Sequence, residues 1–237
     1  MTTPAWQYDE MKQTGTDYEN EDEIRSYDER MSRLRDIGAE SSAIIESLGI
    51  GSSSVVLEIG TGTGSFAAAV SPHCRKVYAV DISAPMLAYA REKAEKSGCN
   101  NIEFIQGGFL NYTHSGPAPD CVITQLALHH LPDFWKLVAL KKINDLLAPE
   151  GKLFLKDVVF SLQLEKYEKT IDYAVKAMET AAGSDTGANF IRHIKQEYST
   201  YDWIMEEMLY RAGFQIETAD YGDLFLTTYI CVKDSAR

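Results

Sequence analysis

The chain has 237 residues, 45% of them apolar and 24% charged. That size and balance suit one α/β unit with additions, and they exclude a disulfide miniprotein, a large modular assembly and wholesale disorder. Thirty-five acids against 23 bases leave a net charge of −12, a surface that repels phosphate backbones and anionic lipid, so nucleic acid is a poor default partner.

Met1-Thr2-Thr3-Pro4 leads into polar sequence with no apolar leader, and no apolar run reaches the length of a membrane span. Residues 1–40 carry 11 acids and 5 bases, a net of −6. The densest run, Asp17 to Glu23, reads as a solvated helix approach. Ser26-Tyr27-Asp28-Glu29 has capping-box spacing and starts a helix with Tyr27, Met31 and Leu34 along one side. The first strand is Val55 to Ile59, stopped by Gly60 and followed by a short helix from Ser65 to Ser71. After the strand Lys76 to Asp81, Ser83 caps a helix with Pro85 in its first turn. Met86, Leu87, Ala90 and Ala94 form one face of it, and Gly98 ends it.

Ile102 to Gln106 and Cys121 to Thr124 are the next strands, the latter entered through the turn Gly116 to Pro119. Pro132 opens a helix that Pro149-Glu150-Gly151 closes, and Lys152 to Phe160 is strand five. Leu164, Tyr167, Ile171, Ala174, Val175 and Met178 describe an amphipathic helix, with Gly183 to Gly187 read as a loop. A helix through Trp203, Met208 and Leu209 ends at Gly213, before two strand-like runs, Phe214 to Ala219 and Leu224 to Val232. Alternating strands and helices imply a parallel sheet. The expected organisation is one domain spanning 1–237, with an N-terminal helical cap (1–48), a core (50–160), a lid insertion (161–199) and a final helix and hairpin (200–237). Cys74, Cys99, Cys121 and Cys231 are scattered, with no CxxC pair and no matching His spacing. This is reduced, cytoplasmic usage with no zinc site.

The chemistry sits in Glu58-Ile59-Gly60-Thr61-Gly62-Thr63-Gly64. Alternate glycines after a buried strand permit positive φ and close approach of backbone to a ligand, at the free N–H groups of the next helix. A dinucleotide fingerprint would need its third glycine at Ser65. Asp81, at the carboxyl end of the second strand, can accept both hydroxyl hydrogens of a ribose, or simply cap the Ser83 helix.

These segments, together with Val80-Asp81-Ile82-Ser83 and Leu126-Ala127-Leu128-His129-His130-Leu131, make residues 50–160 resemble the class I S-adenosylmethionine-dependent methyltransferases. The branch resembled is often called methyltransferase type 11 or domain 25. The resemblance implies a Rossmann-like, doubly wound α/β sheet of seven strands, mostly parallel with the last antiparallel. It implies S-adenosyl-L-methionine as cofactor, with Gly60, Thr61, Gly62 and Gly64 around its methionine part and Glu58 supporting that turn. Asp81 would hold the ribose, and Ile82 and Met86 would flank the adenine. Gly108 stands where such proteins usually carry an acid beside the adenine amino group, which leaves a backbone carbonyl or the Phe109 ring to do that work. Gln125, Leu126 and the residues up to His130 would line the sulfonium end. His129 and His130 are either bases or positioning groups. Asp157, at the end of strand five, is a candidate for orienting substrate, and Tyr27, with Tyr8 and Tyr18 nearby in sequence, for covering the pocket.

The expected reaction is methyl transfer to a small-molecule acceptor, without a metal, by a monomer or homodimer. The competing readings are a nicotinamide-dependent oxidoreductase, a non-catalytic cofactor-binding protein, and a tRNA or protein methyltransferase.

Overall fold

The computed structural model describes residues 4–12, 35–161, 164–222 and 225–234, together with 24, 28, 31 and 33. Five parallel strands, β1 (Val55–Ile59), β2 (Lys76–Asp81), β3 (Ile102–Gln106), β4 (Cys121–Gln125) and β5 (Lys152–Phe160), lie in the order β3-β2-β1-β4-β5. All five residues of β1 are buried because both faces of the sheet are covered. Val55, Leu57 and Ile59 enter one core, and Val56 enters the other. On Val56's side lie α1 (Ile37–Leu48) and α2 (Ser65–Val70), through Ile44, Leu48, Phe66 and Val70. On Leu57's side lie α4 (Asp133–Leu146) and α7 (Asp202–Arg211), through Leu140, Ile143, Met205 and Leu209. The remaining core helix, α3 (Ala84–Lys96), starts as expected at Ser83, whose hydroxyl accepts from the Met86 N–H at 3.2 Å.

The sheet ends differ from expectation in detail. β8 (Leu226–Lys233) inserts antiparallel between β5 and β7 (Phe214–Asp220), and the two-residue β6 (Thr200–Tyr201) adds to β5, which makes eight strands rather than seven. A clearer correction concerns residues 183–187. They are not a loop: α5 (Tyr167–Ala182) passes through Gly183 alone into α6 (Ser184–Gln196). A Cβ on Gly187 would sit 2.3 Å from Glu179 Cγ, so the small residue that resembles a loop signal is a close-packing residue between two helices. Ala174 and Phe190 bury together with Phe225 as a satellite core.

In the N-terminal region, positions 24, 28, 31 and 33 are helical. Tyr27, Tyr18, Leu34 and the Asp17 to Glu23 run lie outside the described residues. No helix among the described residues is long and apolar enough to cross a membrane.

Candidate active site

The strand order reverses between β1 and β4, and the crevice outside their carboxyl ends is where ligands enter sheets of this kind. The turn after β1 closes tightly there. Gly60 has φ 81°, and a Cβ on it would lie 2.5 Å from Ala127 Cβ, so the turns after β1 and β4 can touch only through a glycine. Leu126, at the end of β4, is held at φ 53°, a strained conformation for a leucine. The resulting cavity of about 850 Å³, open to solvent, is lined by Gly60, Gly62, Asp81, Ile82, Met86, Gly108, Phe109, Gln125 and Leu126, and by His130. Nine of the twelve expected cofactor residues thus share one wall. The Asp81 carboxylate accepts from Gly62 N–H at 2.7 Å and Ser83 N–H at 2.9 Å, so it joins the two turns as well as facing the cavity. Burial pushes its pKa up, against these backbone N–H groups.

A second, more polar cavity of about 600 Å³ shares Gly60, Gly62, Gln125 and Leu126 with the first and adds Glu58, Thr61, Asp28 and Arg35. Thr61 donates to Glu58 at 2.6 Å. Burial, with Asp81 nearby, raises the Glu58 carboxyl to about 8. Asp28 accepts from Thr63 and from Lys93, both at 2.6 Å. Arg35 is held by Glu40 and reaches Gln125 Oε1 at 3.2 Å. Gly64 is in the wall of neither cavity. It packs behind the turn, where a Cβ would meet Ala90 Cβ at 2.8 Å.

The two histidines have different surroundings. His129 is 5% exposed and stands behind the cavity wall, with its ring Nδ1 on Asp157 Oδ1 and its backbone N–H donating to Asp157 Oδ2 at 3.0 Å. Its Nε2 lies 3.3 Å from Glu197 Oε2, and Glu197 is also gripped by His193. Burial alone would depress the His129 pKa, but Asp157 and Glu197 outweigh it and the net shift is upward. Burial likewise opposes ionisation of Asp157, and His129 reverses it to a net lowering. His130, whose ring centroid is 4.4 Å from that of His129, is pushed down to about 4 by burial and by its neighbour. Two carboxylates thus favour the protonated form of His129, while burial disfavours that of His130 at the cavity. One ligand atom each from His129, His130 and Glu197 lies within 4.8 Å of the others, close enough to surround an ion. Asp157 is 1% exposed, its carboxylate accepts from His129 and from Val158 N–H, and it lines neither cavity.

Residues 56–151 match the profile of the family described as "Methyltransferase domain". Over this segment the chain is similar to methyltransferase domains. Over 142 residues the chain is 29% identical to an uncharacterized methyltransferase of Bacillus mycoides, a match that covers 60% of each chain. The chain therefore spans about 60% of the length of the curated relatives it matches. A SAM-dependent methyltransferase from Aquifex aeolicus superposes with a TM-score of 0.63 at 17% identity, over 90% of this chain and 98% of that one. The magnesium protoporphyrin IX methyltransferase of Synechocystis, solved with bound SAH, gives 0.60 at 17% identity, over 84% and 82%. At these identities the superpositions establish the fold alone: a Rossmann-like α/β sheet.

The structure also brings in residues that the sequence reading missed. Glu10 and Lys12 line the first cavity, Asp28 and Arg35 the second, and Glu197 and His193 complete the histidine cluster. Only the last pair left a signal, a four-residue spacing that joins the last turn of α6 to the residue capping it.

Proposed function

We propose that the chain binds S-adenosylmethionine across the two joined cavities and transfers its methyl group to a small-molecule acceptor. The observation that carries this reading is one crevice at the strand-order reversal with Asp81 and the Gly60–Gly62 turn in a single wall. The residues fit the cofactor. The apolar pair Ile82 and Met86 suits an adenine, the Asp81 carboxylate suits a ribose diol, and Asp28 and Arg35 offer opposite charges to an amino-acid zwitterion.

When bound, the cofactor supplies a methyl group already activated on a sulfonium sulfur. The chain's own task is then to align the acceptor and exclude water. Gln125, Leu126 and Ala127 form the floor where the two cavities meet the histidines. His130, in the cavity wall with its ring 4.4 Å from that of His129, orients a hydroxyl or ammonium acceptor by hydrogen bonding, because burial weakens it as a base, while His129 is clamped by Asp157 and Glu197. Four free cysteines and no membrane-spanning helix among the described residues fit a reducing, cytoplasmic setting.

Incubating the protein with methyl-labelled cofactor and fractionated cell extract tests the assignment. Label is expected in the small-molecule fraction. Label confined to RNA or protein would overturn the acceptor class, and no transferred label would overturn the activity.

A further inference from the structure

Gly108 leaves a gap in the cavity wall, and a residue from far away in the chain fills it. Residues 4–12 lie across the β4–α4 connection. Trp6 stacks on Trp135 at 6.3 Å between ring centroids, and the Tyr8 hydroxyl donates to His130 O at 3.3 Å. This anchored segment turns Glu10 inward, where it is 8% exposed and part of the cavity wall. The Glu10 carboxylate accepts from Leu110 N–H at 2.8 Å and from Asn111 N–H at 2.7 Å, both through Oε1. A side chain on residue 108 would have to pass through it, since a Cβ there would lie 2.5 Å from Glu10 Oε2 and 2.7 Å from its Cδ. Glu10 and Gly108 are therefore complementary: the acid occupies the volume, and caps the turn, that a side chain at 108 would otherwise take.

The carboxylate is not exhausted by these contacts. Two oxygens offer about four lone-pair positions; Oε2 has a weaker 3.0 Å share of Leu110 N–H, and the Phe109 backbone N–H and Lys142 also act on the carboxylate. Its neighbours on the cavity side are Ile82, Met86 and Phe109, an apolar slot of the kind that takes the flat face of a base. A carboxylate at the edge of such a slot recognises a ring that presents an N–H donor and rejects one that presents a carbonyl there.

We infer that Glu10 is the hydrogen-bond acceptor for the exocyclic amino group of the cofactor's adenine, so that residues 4–12 form part of the cofactor site and residue 108 must stay glycine. This rests on the cofactor reading given above.

The test is a double-mutant cycle on the full chain, with S-adenosylhomocysteine and its 6-oxo analogue S-inosylhomocysteine as titrants. Wild type should prefer the amino compound by at least about 10-fold, and Glu10→Ala should weaken its binding by about 10–100-fold while abolishing the preference. Gly108→Asp alone should also weaken binding, by collision with Glu10. The double variant Glu10→Ala/Gly108→Asp should return to within a few-fold of wild type, about 1 kcal/mol, with the preference restored. The preference is a ratio, so partial misfolding of a variant does not mimic its loss. A Glu10→Ala protein with unchanged affinity and preference, or a double variant no better than Glu10→Ala, would overturn the inference and leave the cofactor reading intact. Failure of wild type to bind S-adenosylhomocysteine would overturn both.

Discussion

The two sides of the crevice are built by opposite means. On the β1–β2 side, the Gly60–Gly64 turn, Asp81 and Met86 all sit within one strand–turn–helix repeat, and the bond that joins its two turns, Asp81 to Gly62, spans 19 positions. On the β3–β4 side, Glu10 reaches Leu110 across 100 positions and α6 delivers Glu197 to His129 from beyond β5. The first side carries recognition elements that any strand–turn–helix nucleotide site needs. The second holds the groups that give this chain its own chemistry, and it depends on segments whose packing, not whose local sequence, brings them there.

That contrast can be broken or sharpened by substitution. The largest effect is expected on the long-range side. Asp157→Ala would leave His129 buried without its main partner and cost about 3–5 kcal/mol of stability, read as a loss in the denaturant midpoint. A loss under about 1 kcal/mol would mean the cluster is not a working ion pair.

Next comes the pH dependence of Glu58. Its folded value of about 8 stands above the ordinary 4.5, so its favourable contribution is complete below 4.5 and is lost as pH rises toward 8. Glu58→Gln should therefore match wild type near pH 4.5 and gain on it by up to roughly 1.4 kcal/mol per unit above that. Thermal melts across that range would show it, and parallel curves would contradict the burial argument.

Gly60→Ala introduces the 2.5 Å contact with Ala127 and a strained φ. A cost of about 1–3 kcal/mol is expected, together with an affinity loss for S-adenosylhomocysteine that Asp157→Ala does not share in its folded fraction. The smallest effect should come from neutralising Asp17, Glu19, Glu21, Asp22 and Glu23. If these acids act only through a screened field, cofactor affinity should stay within a few-fold, and a tenfold loss would place the run at the site.

The sequence made the first side legible because its signals are local. A fully buried run marks β1, glycines mark the turn, and an acid at the end of β2 marks the ribose position proposed above. The same locality placed β2 to β5 and α3 close to their observed limits. Gly183 to Gly187 misled because small polar residues signal both loops and close helix packing, and only the contact of Gly187 with Glu179 distinguishes them. Asp157's place near a strand end suggests a part in orienting substrate, and only the fold shows that its carboxylate bonds His129 and backbone N–H groups. Glu10 gave no signal, as one acid in a polar segment, although the missing acid at Gly108 did point to a gap that something must fill.

The central claim is that the crevice is a site for a sulfonium nucleoside rather than a dinucleotide. Thermal unfolding of the full chain with S-adenosylhomocysteine and with NAD compares the two directly. The account predicts stabilisation of about 2.7 kcal/mol at 100 times the S-adenosylhomocysteine Kd, and none from NAD. No shift with S-adenosylhomocysteine at millimolar concentration, or an equal one with NAD, would contradict it.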